Sequence, residues 1–276
     1  MGQITGGERG NLNRLVPADH AALARLLDRD RVATVFMRSE LRLAPNVLSW
    51  WGLTSNGGLR AALMGGPLVV PWIPDPGDAV TLAGALWREP PFRLMVGPAP
   101  SVRSLAAAIT ARQRPVEARD PQPLLLLDHS PQVPEGVHVR RGQRGDLGQL
   151  TIAAAAMHRE EMGIDPMAVD PVGWRARMAT LVSRGWSYIW PEGGEIIFKV
   201  ELSAWTPEVV QLQGVWTNPR RRRQGIASAG LAAVCAEVLR DVPLCSLYVN
   251  AYNSAALRLY DRLGFRQVGE FATVMY

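Results

Sequence analysis

Val215-Trp216-Thr217-Asn218-Pro219-Arg220-Arg221-Arg222-Arg223-Gln224-Gly225-Ile226-Ala227-Ser228 joins the end of a strand to the start of a helix. Pro219 has no N–H to give to a sheet, so the strand stops before it. Beyond Gly225, the residues Leu231, Val234, Cys235 and Val238 recur at i, i+3, i+4 and i+7, an apolar stripe that predicts a helix. The first turn of a helix leaves its N–H groups without acceptors and favours an anion there. Gly225 and Ala227 add no bulk, so a pyrophosphate can approach the backbone closely. Arg220 to Arg223 add positive potential. Neither G-x-G-x-x-G nor G-x-x-x-x-G-K-S/T occurs, which excludes the dinucleotide and NTP-hydrolase fingerprints and leaves a phosphate cradle of another kind.

The strand leading into this stretch reads over 209–217. Downstream, the pattern predicts a strand over 244–250, a helix over 253–263 and a strand over 266–274. Upstream, it predicts helices over 146–161 and 171–183, and strands over 186–191 and 195–202 about the turn Glu192-Gly193-Gly194. Hairpins that give way to strand–helix alternation imply an α/β (α+β) architecture, a mixed and mostly antiparallel sheet flanked by helices.

The 276 residues are 47% hydrophobic and 20% charged, which excludes disordered, collagenous and coiled-coil chains. The apolar run 61–72 is broken by Gly65, Gly66, Pro67 and Pro71 and is too short for a membrane span. Met1-Gly2-Gln3-Ile4-Thr5-Gly6 lacks an apolar leader and a myristoylation signal. Cys235 and Cys245 fit no C-x-x-C or zinc spacing. The expectation is a cytoplasmic protein with reduced cysteines and no metal. Lys+Arg 30 against Asp+Glu 25 gives net charge +5, and every basic residue but Lys199 is arginine. Guanidinium groups hold phosphate in a bidentate manner. Their concentration at one turn, without aromatics interleaved along a face, argues against nucleic acid as the partner.

Asp128-His129-Ser130-Pro131-Gln132-Val133-Pro134-Glu135-Gly136 reads as a linker between halves 1–133 and 134–276. The halves open alike. In the first, 13–16 leads to Asp19 and a helix bearing Leu23, Leu26 and Leu27. In the second, 137–140 leads to Asp146 and a helix bearing Leu147, Leu150, Thr151 and Ala154. Each Asp stands where a helix N-cap is expected. The first half continues with predicted helices near 33–42, 79–87 and 102–111, the last capped by Ser101. Strands are predicted near 47–53, 59–63, 68–72 and 92–96.

Pro219-x-x-Arg222-x-x-Gly225-x-Ala227 resembles the acyl-CoA-binding signature of the GCN5-related N-acetyltransferase (GNAT) family. Leu247-Tyr248-Val249-Asn250-Ala251-Tyr252-Asn253-Ser254-Ala255-Ala256, running on through Tyr260 to Gly264-Phe265, resembles the family's second signature. The likeness spans roughly 137–276. It is closer still to a bacterial subfamily with an acetyltransferase-like N-terminal domain. The resemblance thus implies tandem GNAT-like folds, with a degenerate domain over 1–133 and a catalytic one over 134–276. The first half carries neither signature and is expected not to bind acetyl-CoA productively.

The resemblance further implies an N-acetyltransferase. Acetyl-CoA is its co-substrate, and a small-molecule or peptide amine attacks directly in a ternary complex. A non-catalytic acyl-CoA-binding regulatory module is the alternative, and a homodimer stays open. Val215 and Thr217 match pantetheine-pairing positions. Arg222, Arg223, Gln224, Gly225, Ile226, Ala227 and Ser228 match the pyrophosphate turn, and Asn253 matches a contact to the cofactor arm. Tyr260 matches the general acid for the departing thiolate, for which a phenol of pKa about 10 is suited. As base, Glu160 and Glu161 stand beside His158 at the end of a predicted helix. Glu201, Gln211 and Gln213 lie on strands, and a water chain serves equally. An N–H near Gly214 or Val215 suits polarisation of the acyl carbonyl.

Overall fold

The computed structural model describes residues 10–276, so the N-terminal hexapeptide Met1-Gly2-Gln3-Ile4-Thr5-Gly6 lies outside the described residues. The chain forms two compact units. The first runs to Leu124 and includes Tyr248–Asn253 and Gln267–Tyr276. The second comprises Leu125–Leu247 and Ser254–Arg266.

The first unit contains β1 (Asn11–Arg14), α1 (His20–Leu27), α2 (Val35–Leu43), β2 (Ser49–Ser55), β3 (Gly58–Gly65), β4 (Leu68–Trp72), α3 (Ala79–Leu86), β5 (Leu94–Pro98) and α4 (Ala99–Ile109). β6 (Glu117–Leu127) then carries the chain towards the second unit. β1 to β5 lie side by side in chain order, antiparallel except for the parallel pair β4–β5. Consecutive strand residues feed two cores. Trp51, Leu53, Ala61, Leu63 and Val69 pack with α3 and α4. Trp50, Ala62, Met64 and Val70 pack with α1 and α2. Both sheet faces are covered, which is why these strands are nearly continuous in apolar residues rather than alternating with polar ones.

The second unit contains β7 (Arg140–Arg141), α5 (Leu147–Met162), α6 (Pro166–Val169), α7 (Pro171–Ser183), β8 (Ser187–Glu192), β9 (Glu195–Trp205), β10 (Val209–Thr217), α8 (Ile226–Val238), β11 (Leu244–Tyr248) and α9 (Ser254–Arg262). Its strands repeat the plan of the first unit. β7 to β10 are antiparallel in chain order, and β10–β11 is parallel. The last strand, β12 (Arg266–Met275), pairs with β5. Each unit is thus a mixed, mostly antiparallel sheet flanked by helices. On β9, Phe198 packs beneath α8 while Lys199 faces Met157 of α5. Successive strand residues point to opposite faces, so α5 and α8 cover opposite sides of the sheet.

Asp19 and Asp146 stand at the N-cap positions of α1 and α5 as expected, but neither side chain caps its helix. Each closes a 3-10 turn placed before its helix, and its carboxylate turns back to the N–H of the residue three earlier. Val16 donates to Asp19 at 2.9 Å and Gln143 donates to Asp146 at 2.7 Å. The extra turn moves the cap upstream and leaves Asp in the reciprocal position of a capping box. The two openings therefore share a hydrogen bond as well as a pattern. Ser101 does not cap α4 either, because the helix already begins at Ala99. It is buried, and its Oγ accepts from Ile73 N–H at 2.9 Å and lies 3.3 Å from Ile73 O.

The contact of α8 with β9 is set by Gly230. A Cβ there would stand 2.6 Å from Cδ1 of Phe198, a fully buried ring. Overpacking of this kind costs about 1–3 kcal/mol. Gly230→Val is expected to lower the thermal midpoint by several degrees; an unchanged melt would mean that the helix is free to lift.

Candidate functional site

In the second unit, β10 and β11 pair at Val209↔Leu244, Val210↔Cys245 and Gln211↔Ser246, and no further. The Ser246 hydroxyl ties the paired end to Val210 O at 3.2 Å. β10 runs on to Thr217 with β9 as its remaining partner. The edge it turns towards β11 is then left with backbone polar groups that need an acceptor or donor from elsewhere. Val215 and Thr217, two residues apart, share one face of this free stretch and are half-buried.

The turn after β10 is built by its own side chains. Asn218 Oδ1 accepts from Arg220 N–H at 3.1 Å, and a 3-10 turn over Pro219–Arg221 follows. Arg223 and Gly225 both adopt left-handed conformations, φ +61° and +78°. Gly225 then caps α8 with no side chain. The N–H groups of Ile226, Ala227 and Ser228 open the helix, where none has an intrahelical acceptor. With the positive end of the helix dipole, free N–H groups of this kind favour an anion.

The arginine run acts differently from the expectation that all four supply potential. Arg220 pairs with Glu195 at 2.6 Å, Arg221 with Glu192, and Arg222 with Glu160 at 2.6 Å. Arg222 Nε also donates to Thr217 O at 3.1 Å. These pairs tie the turn to the β8–β9 hairpin and to α5. Gln224 Oε1 accepts from Arg221 Nε at 3.3 Å. The run is thus chiefly a set of tethers that shape the turn, and the backbone supplies the cradle.

Glu160 and Glu161 part company in the structure. Glu160 holds Arg222. The charge of Glu161 is felt at Tyr260 on α9, where it adds to the dominant effect of burial. Together they push the phenol well above its usual pKa, so Tyr260 keeps its proton. Its ring is buried and lies 5.7 Å from that of Phe265. His158 lies against Trp174, ring centroids 5.1 Å apart. Burial and the Arg177 charge, opposed by Asp165, depress its pKa and leave it neutral at pH 7. Asn253 stands one residue before α9 and is grouped with the first unit; its N–H donates to Asn250 O at 2.9 Å.

One group escaped the sequence reading. Lys199 on β9 is fully buried, and its Nζ donates to Glu201 Oε1 at 2.7 Å and to Gly214 O at 3.1 Å. The signal was available. A lone lysine and a glutamate two residues apart, in a strand otherwise made of Ile196, Ile197, Phe198, Val200 and Leu202, must share one buried face.

The first unit has the same geometry with the chemistry reversed. β4 and β5 pair at Leu68↔Leu94 and Val69↔Met95. Ser101 Oγ then takes up the N–H of Ile73 just past β4. Acids replace the arginines: Asp75 accepts from Gly77 N–H at 2.9 Å, and buried Asp78 pairs with Arg60. Such a turn repels a phosphate. Among the described residues there is no cluster of three or more His, Cys, Asp or Glu able to hold a metal ion. No helix among them is long and apolar enough to cross a membrane.

Residues 154–265 match the model of the acetyltransferase (GNAT) family. Residues 49–150 match a domain of unknown function, DUF4081. No curated protein matches the chain. Among solved structures it is similar to a GNAT-family acetyltransferase from Colwellia psychrerythraea, with 12% identity over 96% of this chain and 99% of that one, TM-score 0.60. It is similar to a tandem GNAT protein from the clavulanic acid biosynthesis pathway, with 15% identity over 96% and 98%, TM-score 0.61. It also resembles a GCN5-related N-acetyltransferase from Sphaerobacter thermophilus, with 16% identity over 98% and 96%, TM-score 0.60. At these identities the likeness is one of fold. The chain is a tandem of GNAT-like folds, and that fold supports acyl transfer.

Gly225 is the position where the cradle depends on backbone conformation. A side chain at its φ of +78° costs about 1–2 kcal/mol. Gly225→Ala is expected to lose about that much stability in urea unfolding; a null result would show that the turn readily adopts another conformation.

Proposed function

We propose that the chain is an N-acetyltransferase that transfers an acetyl group from acetyl-CoA to a small-molecule or peptide amine. In this reading residues 134–276 carry catalysis, and 1–133 form a companion that binds no cofactor. The parting of β10 from β11 directly before the uncapped, left-handed start of α8 carries the reading. It supplies free strand edge for an extended amide chain and free N–H groups for a diphosphate.

Acetyl-CoA brings the acyl group in activated form, as a thioester. Ile226, Ala227 and Ser228 bind its phosphates through their N–H groups, and Arg223 and Gln224 border them. Arg222, paired with Glu160, holds the turn in place. Val215 and Thr217 pair with the pantetheine amides, and Asn253 contacts the arm. A backbone N–H at the Gly214–Val215 step donates to the acyl oxygen. Glu161 receives the proton that an ammonium acceptor must lose before attack. Tyr260, kept protonated by burial, gives its proton to the departing sulfur. The two glutamates therefore have separate duties.

Calorimetry of the whole chain with acetyl-CoA is expected to show one site per chain. Two sites would mean that the first unit also binds, and no binding at millimolar concentrations would overturn the assignment. With a competent acceptor, Tyr260→Phe is expected to lower kcat by about 10²-fold at unchanged acetyl-CoA affinity, the usual scale of a lost general acid. Glu161→Gln is expected to lower kcat as well, whereas Glu160→Gln is expected to weaken acetyl-CoA binding. Exchange of these two effects would reverse the roles given to the glutamates.

A further inference from the structure

The pairing of β10 with β9 jumps from Gln213↔Glu201 to Trp216↔Lys199, so Gly214 and Val215 together face Val200. This is a bulge with glycine in the left-handed conformation, φ +61°, a form that re-aims the backbone. It lies beyond Gln211, in the stretch of β10 that has parted from β11. Its first carbonyl, Gly214 O, receives the Lys199 ammonium. A Cβ on Gly214 would stand 3.2 Å from Lys199 Nζ, 3.3 Å from Glu201 Oε2 and 3.3 Å from Met157 Cε, so the space around the bulge is filled.

We propose that Lys199 is a positioning residue for acyl transfer: neutralised by Glu201, its ammonium locks the Gly214–Val215 peptide so that the Val215 N–H is held for the acyl oxygen. A trans peptide is planar, so the C=O of Gly214 and the N–H of Val215 point in opposite directions. Fixing the carbonyl on Lys199 fixes the N–H away from it. Only a donor can hold a carbonyl, so Glu201 cannot do this alone. A buried ammonium in turn needs the carboxylate beside it. A pair of apolar side chains would pack the same space without directing the peptide. The proposal rests on the acetyl-CoA reading of the site.

Two variants test it, Lys199→Met and the double variant Lys199→Met/Glu201→Leu, the second removing both charges so that no carboxylate is left buried alone. Amide hydrogen exchange of the unliganded chain is read first. Exchange over 213–217 is expected to quicken about tenfold, as for loss of a hydrogen bond to a charged group, while that over 187–191 stays unchanged. Calorimetry is read second. Affinity for acetyl-CoA is expected to fall about tenfold on the same basis, and affinity for CoA itself to stay within about twofold. Unchanged exchange in a folded double variant overturns the proposal. Equal loss of acetyl-CoA and CoA affinity also overturns it, because a merely structural defect treats both alike. If the wild-type chain binds neither ligand, the acyltransferase reading fails, and exchange alone then decides whether Lys199 holds the bulge.

Discussion

After Gln211 and Ser246, β10 and β11 cease to pair while β10 continues to Thr217. In a sheet interior this leaves backbone groups that cost free energy unless something meets them. The features around the second unit's cleft answer to that gap. The Ser246 hydroxyl closes its base on Val210. The bulge at Gly214 re-aims its wall, and the uncapped start of α8 follows directly on its mouth. The tethers from Arg220, Arg221 and Arg222 to Glu195, Glu192 and Glu160 keep the turn in shape. Exposed ion pairs contribute little to stability, about 0–1 kcal/mol each. Their value here is geometric: they hold the turn against the β8–β9 hairpin and α5.

The first unit shows what the same gap becomes when filled from within. A hydroxyl on α4 takes up the Ile73 N–H, and two aspartates occupy the following turn. The strand plan is retained, down to the single parallel pair and the Asp that closes the 3-10 turn before the first long helix. Shape and chemistry have separated between the two units. The sheet is specified by apolar residues on both faces, whereas the cleft depends on a few side chains that can change without disturbing the cores.

Much of this could be read from the order of residues. The strand over 209–217 and the helix over 171–183 stand as the hydrophobic period predicts, because local pattern determines which face is buried. The glycine and proline at the mouth of the cleft mark a turn and an uncapped helix by their own backbone limits. What escaped depends on partners far along the chain. Nothing near Ser101 announces Ile73, and nothing in four consecutive arginines announces Glu160, Glu192 and Glu195. Glu160 and Glu161 are neighbours in sequence, yet a helix turns adjacent residues about 100° apart, and they serve different elements. Lys199 was visible as a composition anomaly. Its meaning required the bulge on the neighbouring strand. Removing one partner of such a buried pair typically costs about 3–5 kcal/mol, so each of the two charges requires the other.

The lone lysine has one more consequence. Its ε-amine is the only one in these 276 residues and is fully shielded from solvent. The native surface therefore offers no ε-amine to an acylating reagent. The same seclusion makes Lys199 a clock. An amine-reactive reagent can mark it only when β9 and β10 come apart, so the rate of marking would count the openings of the sheet.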